Sequence, residues 1–209
     1  MRRPLVLGLV VGIFVLLGAP VASAQEATPA AAADRAAFVP APATCVISTL
    51  LPSVLNALAT PSASAAAASP VAVSGEVPFA VPAGEAADAE TAAAVTATFR
   101  QAWACQNAGN LARYFSLLTE DEIRRNFTAE EIAGVFEVPA VDLSEADQTA
   151  VFAILEVQIL TDGRAGAFVV IDTAGDPNPV EIIYMVAAET DAGWRIDDIL
   201  CFSEDGTAC

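Results

Sequence analysis

The chain contains no histidine and no lysine, so proton transfer near neutral pH falls to carboxylates and tyrosines. Tyr114, Glu156, Tyr184 and Asp197 have the types for it. A carboxyl group kept neutral by apolar surroundings, a second carboxylate and a phenol can together run acid–base chemistry at carbon. Each of these residues also has a plainer role. Glu156 stands beside Ile154 and Gln158 in a strand-like run, where alternation turns it to solvent. Tyr114 reads as a half-buried helix tyrosine with its hydroxyl at the surface. Asp197 and Asp198 are neighbours on a strand and point to opposite faces, which argues against a metal site. Trp103 and Trp194 are large enough to line a ligand cavity, although large aromatics more often build core.

The remaining motifs weaken on the same test. Asn126-Phe127-Thr128 matches a glycosylation acceptor, but Thr128 as a helix cap accounts for it. Asp142, Glu145 and Asp147 do not spell out a calcium loop and read as a solvated acidic stretch. No metal site and no cofactor is assigned. The four cysteines, Cys45, Cys105, Cys201 and Cys209, lack zinc-type spacing and suggest two disulfides with three possible pairings. Cys201 and Cys209 flank Gly206 and are near enough to clip the tail, which would leave Cys45 to tie an N-terminal segment to the first helix at Cys105. A free, packed thiol at Cys105 is the competing reading, because that residue lies within a helix.

The N-terminus reads as a secretory signal. Arg2 and Arg3 precede an apolar run from Leu5 to Ala19, and Ala22-Ser23-Ala24 offers small residues before a cut expected after Ala24. That run is shorter than the about 20 residues a membrane span needs, and Pro20 closes it. The expected location is therefore secreted or extracytoplasmic. With 9 basic against 26 acidic residues the net charge is −17, and losing Arg2 and Arg3 makes it more acidic. Such a surface repels phosphate backbones and anionic headgroups, so nucleic acid and a membrane surface are excluded as partners.

Residues 25–85 are rich in Ala, Pro and Ser and read as a largely disordered region. Within them Cys45–Leu58 carries Val46, Ile47, Leu50, Leu51, Val54, Leu55 and Leu58 at helical spacing, an apolar stripe expected to dock on the folded part. Folding is expected from about residue 86 onward. Asp88 caps a long helix with Val95, Phe99, Ala102 and Trp103 on one side, and Asn107-Ala108-Gly109 ends it. Asn110 caps a second helix through Leu111, Phe115 and Leu118. Thr119-Glu120-Asp121-Glu122 and Thr128-Ala129-Glu130-Glu131 read as capping boxes opening two short helices. From Thr149 the period becomes two, with Val151, Ala153, Leu155, Val157 and Ile159 on one face. Further runs at Arg164–Thr173, Val180–Glu189 and Trp194–Phe202 are joined by short turns, which makes the four strands an antiparallel meander.

This order resembles the NTF2-like superfamily, especially its SnoaL-like members, over roughly residues 86–202. The most specific pieces are Cys105-Gln106-Asn107-Ala108-Gly109-Asn110 with Leu111-Ala112-Arg113-Tyr114-Phe115, and Gly193-Trp194-Arg195-Ile196-Asp197-Asp198-Ile199. The resemblance implies an α+β cone in which a curved sheet wraps the helices and encloses a pocket, often with dimerisation through the open sheet face. Pocket-lining residues would then be Phe99, Trp103, Tyr114, Phe115, Glu156, Tyr184 and Trp194. No residue matches a family catalytic position. The expected role is a non-catalytic module holding a small apolar ligand or a partner copy, and the alternative is an isomerase- or dehydratase-like enzyme using pocket carboxylates and tyrosine.

Overall fold

Asp88 accepts the amide and hydroxyl of Thr91 and so opens a 19-residue helix, α1 (Ala89–Asn107). A computed structural model describes residues 35–46, 58, 81–137, 139–173 and 180–201. The expected signal segment, most of the Cys45–Leu58 run, residues 59–80, residues 174–179 and those beyond Cys201 lie outside the described residues. Helix α1 ends as the sequence requires: Gly109 has φ +57°, its amide bonds to Gln106 and that of Asn110 to Cys105. The two bonds satisfy the last carbonyls of the helix. A Cβ on Gly109 would run into the Val141 carbonyl.

Three short helices follow: α2 (Leu111–Phe115), α3 (Glu120–Asn126) and α4 (Ala129–Gly134), capped by Asn110, Thr119 and Thr128. Only Thr128 closes a full capping box, with Glu131. At Thr119 the expected box is half made, for a reason that lies in the sheet.

The sheet has five antiparallel strands in sequence order, β1 (Gly84–Ala86), β2 (Ala150–Leu160), β3 (Ala165–Asp172), β4 (Val180–Thr190) and β5 (Gly193–Cys201). The expected four-strand meander is thus extended by a fifth strand. Gly84, Glu85 and Ala86 pair with Leu160, Ile159 and Gln158. All three are exposed and carry no alternating pattern, because the pairing uses backbone groups alone. At the other edge, the turn Leu117–Thr119 covers β5 through two bonds to Ile196, at 2.7 and 2.8 Å. The turn occupies the backbone groups of that edge at Ile196.

The helices share one face of the sheet. Val95, Phe99, Phe115, Leu118, Ile123 and Ile132 pack with Val151, Val169, Met185 and Ile196 in one buried cluster. Strand β2 departs from the simple alternation that would put Leu155 inside. Register shifts between Val151 and Ala153 and between Leu155 and Gln158 change its phase. Leu155 is 46 % exposed, while Ile154, Val157 and Ile159 pack on the core. An extra residue in one strand turns those that follow it to the other face.

Residues upstream of Asp88 also join this unit. Cys45 and Cys105 form a disulfide, and Cys45 and Leu58 are both buried in the main cluster, as docking of that apolar run requires. The Phe38 carbonyl accepts the Val151 amide, and Arg35 pairs with Asp172 at 2.9 Å. The Ala/Pro-rich composition of residues 25–85 hides this, since the anchoring comes from single residues spaced far apart.

Candidate functional site

The two backbone bonds at Ile196 decide the fate of Glu122. At Thr128 the amide is free to donate to the Glu131 carboxylate, at 2.7 Å. At Thr119 the amide is taken by the Ile196 carbonyl, so Glu122 does not fold back over it. Its side chain turns inward instead and is 3 % exposed.

Around it stands a compact ion network. Arg125 Nη1 lies 3.5 Å from Glu122 Oε2 and 3.3 Å from Asp198 Oδ1, and Nη2 donates to the Asp197 carbonyl at 3.1 Å. Asp197 Oδ1 accepts Thr119 Oγ1 and Oδ2 accepts Arg164 Nη1, both at 2.9 Å. Arg164 is also paired with Asp162 at 2.7 Å. Asp197 and Asp198 do not separate to opposite sides as plain alternation requires. The register shift at Val186 and Ala187 leaves Asp197 as an extra residue in β5, and both aspartates enter the one network.

Burial pushes the Glu122 carboxyl up to about 7; Arg125 opposes the shift, while Asp198 and Asp197 add to it. Glu122 Oε2 makes no hydrogen bond, so little offsets the loss of water. Tyr114 on α2 feels the charge of the same group. Burial pushes its hydroxyl up to about 12, a bond with Gln106 opposes this, and the Glu122 charge adds to it. A carboxyl near neutrality can exchange a proton with a bound molecule. Among the described residues no group of three His, Cys, Asp or Glu side chains can hold a metal ion.

The second notable surface is the sheet face turned away from the helices. Cross-strand pairing puts Leu155, Phe168, Tyr184 and Leu200 in one row, and Ala153, Val170 and Ile182 in the next. Neither row contains a charge. Tyr184, Leu160 and Val186 are buried, with Phe168 and Leu200 packed on them. The Phe168 and Tyr184 rings meet edge to face with centroids 5.0 Å apart. Burial also raises the Tyr184 hydroxyl. Beyond this cluster the face opens: Leu155 is 46 %, Ile182 51 % and Val180 57 % exposed.

The acidic stretch Asp142, Glu145 and Asp147 is exposed. Asp142 and Glu145 form one wall of an open cleft of about 740 Å³, with Arg35, Val39 and Pro42 opposite.

Five of the seven sequence-selected pocket residues gather in or against the main buried cluster, and Tyr184 and Glu156 lie elsewhere. Phe99 and Phe115 are buried core, Tyr114 is 7 % exposed, and Trp103 and Trp194 pack against the same cluster. Tyr184 belongs to the other sheet face. Glu156 is exposed and sits in the β2 irregularity with φ +49°, a conformation uncommon outside glycine. Tyr114 is more deeply buried than a surface-seeking tyrosine and belongs to the main cluster. Glu122 escaped sequence reasoning altogether. Its Thr-x-x-Glu spacing reads as a cap, and only the long-range bond from Thr119 to Ile196 cancels that role.

No family model, curated protein or solved structure matches this chain.

Proposed function

We propose that this chain is an exported protein with an NTF2-like cone, acting as a non-catalytic interaction module in which a second copy docks on the outer sheet face. The observation that carries the reading is the pair of charge-free rows, in which Leu155 and Ile182 are exposed; the exposed Val180 lies in the next row, opposite Asp172, whose charge Arg35 pairs. Isolated apolar side chains on a surface are ordinary, whereas a contiguous apolar patch marks an interaction site. The choice of a second copy follows from charge. On a chain carrying −17, contact between two copies brings like charges together across most surfaces, and these rows avoid that. Helices followed by an antiparallel meander, with the helices on one sheet face, support the NTF2-like reading. The Cys45–Cys105 disulfide fits an oxidising, extracytoplasmic setting.

Sedimentation equilibrium of the full secreted protein tests the dimer. The parent should be a dimer at micromolar concentration, and Ile182→Asp should weaken association at least about 100-fold while leaving circular dichroism unchanged. A parent that stays monomeric at high concentration overturns the reading. So does a small apolar molecule seen bound to a monomer by native mass spectrometry.

A second reading, an acid–base enzyme of the isomerase or dehydratase kind, is favoured by one observation, the buried Glu122 carboxyl with its raised proton affinity and an Oε2 that makes no hydrogen bond. Its test is a screen of ketone and hydroxy-acid substrates. Turnover by the parent that falls by about 100-fold or more in Glu122→Gln supports it, and absence of turnover by the parent removes it.

A further inference from the structure

We propose that α3 is held on β5 by a pH-dependent latch, in which Glu122 stays docked while protonated and is driven toward solvent once ionised. This is independent of the self-association above. The geometry sets two carboxyl groups, Glu122 and Asp198, on a single guanidinium, that of Arg125, at 3.5 and 3.3 Å, while the neighbouring Asp197 carboxylate is held by Arg164. Arg125 is 46 % exposed, so water weakens its hold on any one partner. Glu122 itself is 3 % exposed, and its Oε2 lacks a hydrogen bond.

Every element packed around the latch contributes a named group. From α3 come Arg125 and Asn126, the latter donating its amide to the Glu122 carbonyl at 3.3 Å. Glu120 and Arg124 pair with each other at 3.2 Å on the exposed side. From β5 come Asp197 and Asp198, and from α2 the Tyr114 hydroxyl, which keeps its proton throughout the neutral range. From the β2–β3 turn comes Arg164, shared between Asp162 and Asp197. A neutral Glu122 leaves Arg125 to Asp198. An ionised Glu122 places an unsolvated charge beside two further carboxylates, and opening α3 returns it to water. The device is local because α3 is short, anchored by Ile123 and by the two bonds at Ile196, and segments with few anchors open without global unfolding.

Hydrogen exchange of the full-length secreted protein, corrected for the intrinsic pH dependence of exchange, reads the latch directly. Proton linkage with the folded carboxyl near 7 and the open one near 4.5 predicts an opening constant for α3 that rises about tenfold from pH 6 to pH 8. Amides of β3 and β4 should keep their protection, and Glu122→Gln should abolish the rise in α3. Asp198→Asn frees Arg125 for Glu122 and should move the midpoint to lower pH. A flat parent, or the same rise in Glu122→Gln, overturns the proposal. A carbon-13 titration of the Glu122 carboxyl in the parent gives an independent reading. A midpoint close to 7 supports the latch, and one in the ordinary glutamate range removes it.

Discussion

Asn107 and Thr149 exchange two hydrogen bonds across the junction between the end of α1 and the start of β2. Asn107 Nδ2 donates to the Thr149 carbonyl at 3.0 Å, and Oδ1 accepts the Thr149 amide at 2.9 Å. Nδ2 also donates to the Pro40 carbonyl at 3.1 Å, and the Asn107 carbonyl accepts the Leu143 amide at 2.8 Å. One fully buried amide side chain therefore joins helix, strand and N-terminal segment, in a place where water cannot substitute.

Asn107→Ala should cost about 2–4 kcal/mol, since it orphans two buried backbone groups of Thr149 and the part-buried Pro40 carbonyl. Asn107→Asp should cost more, because it sets a carboxyl oxygen against the Pro40 and Thr149 carbonyls. Urea unfolding of both variants measures the cost, and a loss below about 1 kcal/mol would mean the junction is held by packing alone.

Stability should fall as pH rises through the Glu122 window. The folded carboxyl sits near 7 and the unfolded one near 4.5, so between these values the folded state holds more protons, and it loses stability as they leave. Above 7 the loss is complete and the curve flattens. Glu122→Gln should therefore match the parent at pH 4.5 and exceed it by roughly 2–3 kcal/mol at pH 8.5, the position near 7 already including the opposition of Arg125. Parallel pH curves for the two proteins would contradict this.

Breaking the Cys45–Cys105 link should loosen the N-terminal attachment. The two cysteines are 60 residues apart, for which loop entropy gives about 4 kcal/mol. Cys45→Ser with Cys105→Ser should lower the urea midpoint accordingly, and reducing the parent should have a similar effect. Cys201 and Cys209 lie, as a pair, outside the described residues, so mass spectrometry of the oxidised parent must count the second bridge.

Two glycines should respond oppositely to alanine. A Cβ on Gly166 would collide with the Tyr184 hydroxyl and ring, so Gly166→Ala should destabilise by about 1–3 kcal/mol through displacement of that ring. At Gly134, inside α4, a Cβ meets nothing within 4 Å, and alanine there should stabilise by about 0.5–1 kcal/mol. Thermal melts of the two variants moving in the same direction would refute the assignment of Tyr184 over Gly166.

Local signals were legible where the physics is local. Asp88, Asn110 and Thr128 cap their helices, Gly109 takes the left-handed position, and Asp162-Gly163 and Ala192-Gly193 mark real turns, with φ +88° and +93° at the two glycines. Each depends on residues within a few positions, so spacing alone exposes it. Composition likewise established the acidic surface and the absence of histidine chemistry.

Tertiary structure alone decided the rest. The pairing of Gly84–Ala86 with β2, the inward turn of Glu122, the shared network of Asp197 and Asp198 and the burial of Asn107 each depend on a partner distant in sequence. Backbone edges and bulges carry no side-chain pattern, so they turn chosen residues inward without leaving a trace in the local period. A carboxyl group becomes chemically unusual only when its surroundings remove water from it, and those surroundings come from elements that meet only in the folded chain.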